Sequence, residues 1–188
     1  MRVEPALRAQ LIAAIPHLRA FARSLTHNPI YADDLVQDTL VRAWAKMDSF
    51  QRGTNFEAWL FTILRNGFYS QQRTKGREVE DVDGSYASSI AQAPEQGGHL
   101  DFGDLQNALA QLIPEQREAL LLIGAQGFSY EEAARICSVA EGTVKSRVSR
   151  GRARLAKLLS IDDPQDLGPD RTTMAVLSSR SPMVHLHS

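Results

Sequence analysis

The stretch from Ser129 to Leu159, SYEEAARICSVAEGTVKSRVSRGRARLAKLL, limits what this chain can fold into more than any other. Ser129 followed three residues later by Glu132 has the form of a capping box, and Ala133, Ala134, Ile136 and Cys137 follow at the spacing of a short packed helix. Ser138 to Gly142 supplies a break. Thr143, Val144, Val148, Gly151, Leu155, Leu158 and Leu159 then make one apolar stripe on a second, longer helix. At about 100° per residue the opposite side near that helix's start carries Lys145, Ser146, Ser149 and Arg150, with Arg147, Arg152 and Arg154 on the flanks. Glu141 alone offsets six cations up to Lys157, whereas solvated surface helices usually mix their signs. The pattern predicts a helix-turn-helix whose second helix enters the major groove, side chains near its N-terminus meeting base edges and flanking cations meeting phosphates.

A formal net charge of −1 looks wrong for such a protein until it is divided along the chain. Residues 1–77 carry a net +5, residues 78–104 carry seven acids and no base, residues 105–160 carry +3, and residues 161–188 carry −2. Two basic blocks are therefore joined by an acidic segment, and partner choice follows such local fields rather than the total. The single cysteine, Cys137, excludes an internal disulfide framework and a cysteine-based zinc site. Its place on the apolar side of the short helix predicts a buried structural thiol. The opening residues lack a signal-peptide pattern and no run of about 18 apolar residues exists, so no membrane insertion and a cytoplasmic location are expected.

Periodicity before the helix-turn-helix is helical throughout. Leu7, Leu11, Ile15, Leu18 and Phe21 predict one kinked helix or two short ones around Pro16, ending near Asn28-Pro29. Tyr31 to Met47 predicts a second, with Asp33 and Asp34 placed to meet the dipole of its first turn and Asp38 paired with Arg42 four residues on. Ser49 to Asn55 has the glycine and asparagine of a loop. Phe56 to Thr74 resumes as a helix with a core side of Phe56, Leu60, Ile63, Leu64 and Gly67. A second stripe carries Trp59, Thr62, Asn66, Tyr69 and Arg73, and aromatics interleaved with amides and cations suit an unstacked single strand, although Trp59 is more often core. Leu105, Leu109 and Leu112, then Pro114, predict two supporting helices before Ser129, with Glu115 and Glu118 near the N-terminus of the second.

Taken in order, ADDLVQDTLVRAWAKMDSF with NFEAWLFTILRN, then LIPEQREALLLIGAQGFSYEEAARIC with GTVKSRVSRGRARL, resemble the extracytoplasmic-function group of bacterial RNA polymerase sigma factors over roughly residues 8 to 160. The resemblance implies an all-α chain of two small helical domains. These are a region-2 type domain over 8–77 and a region-4 type domain over 105–160, joined by a flexible acidic linker over 78–104 and followed by a disordered tail over 161–188. It implies a non-enzymatic factor that directs core polymerase to promoters. Asp33, Asp34, Leu35, Gln37, Asp38, Arg42 and Trp44 match the segment that docks on the clamp helices of the largest subunit, with the polymerase flap as a further contact. Phe50, Arg52, Asn55, Asn66, Ser70 and Arg73 match positions that capture the melted minus-10 strand, where extruding a base costs a few kcal/mol that a fitted pocket offsets. Thr143, Lys145, Ser146, Arg147, Ser149, Arg150, Arg152 and Arg154 match positions that meet the minus-35 element as duplex. An anti-sigma protein partner and the alphaproteobacterial general-stress subgroup are further implications.

The linker acids, Glu78, Glu80, Asp81 and Asp83 among them, are expected to contact basic channel walls of the polymerase. His185 and His187 stand two apart without a third candidate ligand nearby, so no metal or cofactor is expected. A plain helix-turn-helix repressor or activator working without core polymerase would leave Phe50 to Arg73 unexplained. An enzyme is disfavoured because Asp33/Asp34 and Glu131/Glu132 are sequence neighbours that diverge on a helix.

Overall fold

The computed structural model describes residues 5–80 and 102–161, and among these residues there are seven α-helices and no strand. The first three form one bundle. Helix α1 (Pro5–Thr26) buries Leu11, Ala14, Leu18, Phe21, Ala22 and Leu25. It runs unbroken through Pro16, whose exposed position places the missing N–H bond on the solvent side. Helix α2 (Pro29–Ala45) starts earlier than the pattern predicts, because Pro29 fits the first position and the Asn28 side chain accepts from Tyr31 N at 3.0 Å. Asp33 and Asp34 therefore fall outside the first turn. The dipole account fails for them, and Asp33 instead pairs with Arg19 at 2.9 Å and Arg23 at 3.9 Å on α1.

Helix α3 (Phe56–Glu80) is headed by Asn55, whose Oδ1 accepts from Ala58 N at 3.1 Å. Phe56, Leu60, Leu64 and Gly67 are buried as expected, Ile63 is half-buried, and Phe61 and Phe68 join the core. The wider apolar arc has a cause. Helix α3 is covered twice, by α1 and α2 on one side and by a helix of the second bundle on the other.

That second bundle comprises α4 (Phe102–Ala110), α5 (Pro114–Leu120) with a wider π turn at Leu121–Ala125, α6 (Tyr130–Cys137) and α7 (Glu141–Leu158). Pro114 opens α5 as predicted. The capping box at Ser129 is present in both directions, with Ser129 N donating to Glu132 Oε2 at 2.9 Å and Glu132 N donating to Ser129 Oγ at 3.1 Å. Ser138 ends α6 in the left-handed region at φ 55°. Close approach of α7 to α5 needs Gly151, where an added Cβ would lie 2.8 Å from Leu120 Cδ1.

Helical structure to Glu80 and from Phe102 takes both ends of the expected 78–104 linker into helices. Its remainder, and the expected tail with His185 and His187, lie outside the described residues. The two bundles also pack against each other. Helix α3 packs on α6, and the Phe61 and Phe128 rings meet edge to face with centroids 5.0 Å apart.

Candidate nucleic-acid and polymerase interfaces

Residue by residue, α7 divides into a buried and an exposed side. Val144, Val148, Gly151, Leu155 and Ala156 face the core, while Lys145, Ser149, Arg150 and Arg154 face solvent. Thr143 and Ser146 are half-buried, and the Ser146 hydroxyl donates to Thr143 O at 2.9 Å within the helix. Arg147 and Arg152 depart from expectation. Arg147 and Arg152 are half-buried, and Arg147 Nη1 and Arg152 Nε are shielded from solvent. Lys145 is held by Glu141 at 2.6 Å, one turn before it, and the carboxylate keeps its ammonium above the ordinary lysine range.

The loop before α3 is built on rings. Phe50 is half-buried and lies 4.9 Å from Phe56 and 5.5 Å from Trp59 between centroids, with Phe56 and Trp59 stacked at 5.6 Å. Trp59 is half-buried and so neither wholly core nor a free stacking face. Gly53 at φ 86° lets the chain reverse between Gln51 and Thr54, whose hydroxyl donates to Gln51 O at 2.7 Å. Arg52 and Asn55 are exposed on this turn, and Asn66, Ser70 and Arg73 are exposed along α3. Beside them a 490 Å³ groove runs between Arg65, Asn66, Tyr69, Gln72 and Arg73 on one wall and Ser138 of the second bundle on the other.

On α2 the outward face carries Asp34, Gln37, Asp38, Val41, Arg42 and Trp44. Val41 is 69% exposed and Trp44 46%, an apolar pair ringed by charge, while Asp38 and Arg42 pair at 3.8 Å. Leu35 does not belong to this surface. It is fully buried and packs where Gly67 leaves room on α3, so the expected polymerase contact at Leu35 is corrected to a core position. Asp33 is likewise turned toward α1.

Of these three surfaces two lie on the first bundle and one on the second, and each bundle matches a known family. Residues 11–78 match Sigma-70 region 2 and residues 102–155 match Sigma-70 region 4. The chain is 55% identical over 177 residues to the ECF RNA polymerase sigma factor EcfG of Rhodopseudomonas palustris, covering 94% of this chain and 98% of that one. It belongs to the extracytoplasmic-function sigma factors. The sigma factor RpoE of Bartonella quintana, solved in complex with the anti-sigma factor NepR, superposes with a TM-score of 0.76 at 56% identity over 85% of this chain and all of that one. CnrH, solved with the cytosolic domain of CnrY, superposes at 0.60 with 28% identity over 84% of this chain and 90% of that one. As a sigma factor the chain serves RNA polymerase in promoter-directed initiation, in a family of initiation factors rather than enzymes. Among the described residues no helix is long and apolar enough to cross a membrane.

Sequence reasoning missed one part of this sigma factor, the seam between its regions. Glu118, expected as a dipole-capping acid, is fully buried and accepts from Arg65 Nε at 2.5 Å and from the Tyr69 hydroxyl at 3.3 Å. Burial pushes its carboxyl up, against the pull of Arg65, and pushes the nearby Cys137 thiol up to about 12. Cys137 is thus the buried, unreactive thiol its position predicts. Glu132 is also shared, for its Oε1 accepts from Asn55 Nδ2 at 2.7 Å, and this bond together with Ser129 holds its carboxyl below the ordinary range. No local signal marks Glu118, which stands in α5 directly after the polar Glu115, Gln116 and Arg117.

Proposed function

We propose that this sigma factor docks on core RNA polymerase through the exposed α2 face, reads the minus-35 element as duplex with α7 and captures the melted minus-10 strand at the head of α3. The observation that carries this is the pairing of an acidic face with exposed Val41 and Trp44 on region 2 and a cationic outward face, Lys145, Ser149, Arg150 and Arg154, on region 4. Asp34, Gln37, Asp38, Arg42 and Trp44 make the polymerase contact. Arg52, Asn55, Asn66, Ser70 and Arg73 meet the opened strand, with Phe50 bracing their loop. Lys145, Ser149 and Arg150 meet base edges, while Arg154, Arg152 and Arg147 serve phosphates or the helix's own packing.

The factor works in the cytoplasm, where polymerase and promoter are. It is held by an anti-sigma protein, a reading supported by the Bartonella relative solved with NepR. The acids around Glu78 and Asp83 meet cationic polymerase surfaces. Transcription by purified core polymerase on a promoter library tests the whole. Enrichment of one minus-35 and minus-10 pair is expected, and duplex binding without any initiation by core would overturn it in favour of a repressor.

A further inference from the structure

Helix α7 carries six cations, and among the described residues only Lys145 of these is tied to an acid. Its ammonium stands 2.6 Å from Glu141 Oε1, one turn before it, and 5.7 Å from the centre of the Tyr130 ring at the start of α6. The side chains are 58% exposed for Lys145 and 47% for Glu141, which puts the pair on the outward face with Ser149 and Arg150. An acid in a first turn ordinarily complements the helix dipole. Glu141 is so placed, yet its carboxylate is turned to Lys145, and no side chain caps α7 at Ala140.

A lysine on a recognition helix is ordinarily an unselective group. Its ammonium is a point charge on a flexible four-carbon stem, and a phosphate satisfies it as well as a base does. Glu141 changes both properties. Its charge repels the phosphate backbone, and its oxygen sets an acceptor 2.6 Å from the Lys145 donor. A guanine-cytosine pair presents the complement in the major groove, with acceptors at guanine O6 and N7 beside the amino donor at cytosine N4. O6 and N4 are joined by the pair's own hydrogen bond, about 3 Å long, which matches the spacing of the two side-chain atoms. Reversing the pair, or setting adenine in place of guanine, turns an amino group toward the ammonium. Thymine there keeps one acceptor but carries a methyl group and no N7 acceptor.

We propose that Glu141 is a specificity-determining residue of promoter recognition: it holds Lys145 off the phosphates and accepts from the cytosine of the guanine-cytosine pair that Lys145 reads in the minus-35 duplex. This rests on the reading of α7 given above. The arrangement lowers affinity for duplex at large and sharpens choice within it. Removing the carboxylate therefore moves two quantities in opposite directions, since general duplex affinity rises while discrimination at one base pair falls. An acid that only complemented the dipole would do neither. Its loss would weaken the fold and lower initiation at every sequence alike.

Holoenzyme assembled from the full chain and core polymerase, initiating on a promoter library randomised only over the minus-35 element, measures the discrimination. The wild type should favour one orientation of a guanine-cytosine pair at one position by about tenfold, as a good base contact does. In Glu141→Ala and in Lys145→Ala that preference should fall to about threefold or less, at the same position and at no other. Binding of Glu141→Ala holoenzyme to a duplex without the element should tighten, and its dependence on salt should steepen by about one phosphate contact. Glu141→Gln, equal in shape and uncharged, should lie between, and it decides the matter if Glu141→Ala loses helical circular dichroism. A uniform fall at every sequence, or a preference left unchanged, overturns the proposal. Arg150→Ala on the same library keeps the two readings apart. An altered minus-35 preference there beside none in Glu141→Ala sinks this inference alone, and unchanged preference in both sinks the reading of α7 with it.

Discussion

Arg117 and His27 show how much one contact between regions can depend on a proton. His27 is exposed as a residue, yet its Nε2 faces the Arg117 guanidinium, and burial of that side of the ring together with the cation hold it below its ordinary 6.5. The folded chain then binds fewer protons at His27 than the unfolded one. Its contribution is complete above about pH 6.5 and is lost as pH falls through the depressed value. Thermal unfolding of the wild type should weaken below that pH relative to His27→Asn, which also suits the backbone at φ 52°. The shifted Glu118 is common to both proteins and cancels in the difference. A second expectation concerns Glu118 itself. Because a buried pair is often replaceable by apolar residues, the double variant Arg65→Met/Glu118→Leu should be at least as stable as the wild type, whereas Arg65→Ala alone should be destabilised. Chemical denaturation of the two variants beside the wild type measures both. None of this was legible in the sequence, since an acid four residues past Pro114 reads as a partner of the helix dipole, and nothing local says that Arg65 will reach it.

Elements were more legible than partners. Seven helices follow from apolar spacing, capping box and proline position, because each of those signals acts within one or two turns. Where boundaries moved, a local rule was outvoted by a neighbour: Asn28 and Pro29 draw α2 backward, and Phe61 joins the core between Phe21 of α1 and Phe128 of region 4. The recognition helix shows the same limit. Its exposed cations follow from periodicity, but the shielded guanidinium atoms of Arg147 and Arg152 depend on long stems that spacing cannot place. Arg150→Ala should lower initiation about tenfold or more at promoters with an intact minus-35 element, in line with about 1 to 3 kcal/mol for a bidentate base contact, and relax discrimination there. Gly151→Val should destabilise region 4 by about 1 to 3 kcal/mol in chemical denaturation, since the branched side chain must displace Leu120.

At the scale of the molecule, charge is divided along the chain. Residues 78–104 hold seven acids and no base between two basic blocks. Neutralising Glu78, Glu80, Asp81 and Asp83 together should weaken holoenzyme assembly at low ionic strength and have little effect at about 1 M salt, where screening extends to only about 3 Å. Unchanged assembly at low salt would leave the segment as a tether. The bond between Asn55 and Glu132 joins two helix caps that do not depend on it. When it breaks, Asn55 still caps α3 through its oxygen, and Glu132 still holds Ser129 through its other oxygen. Neither helix end is left to be rebuilt. The contact thus uses only atoms that neither helix cap needs, so the seam can be lost at this point without fraying the start of α3 or of α6.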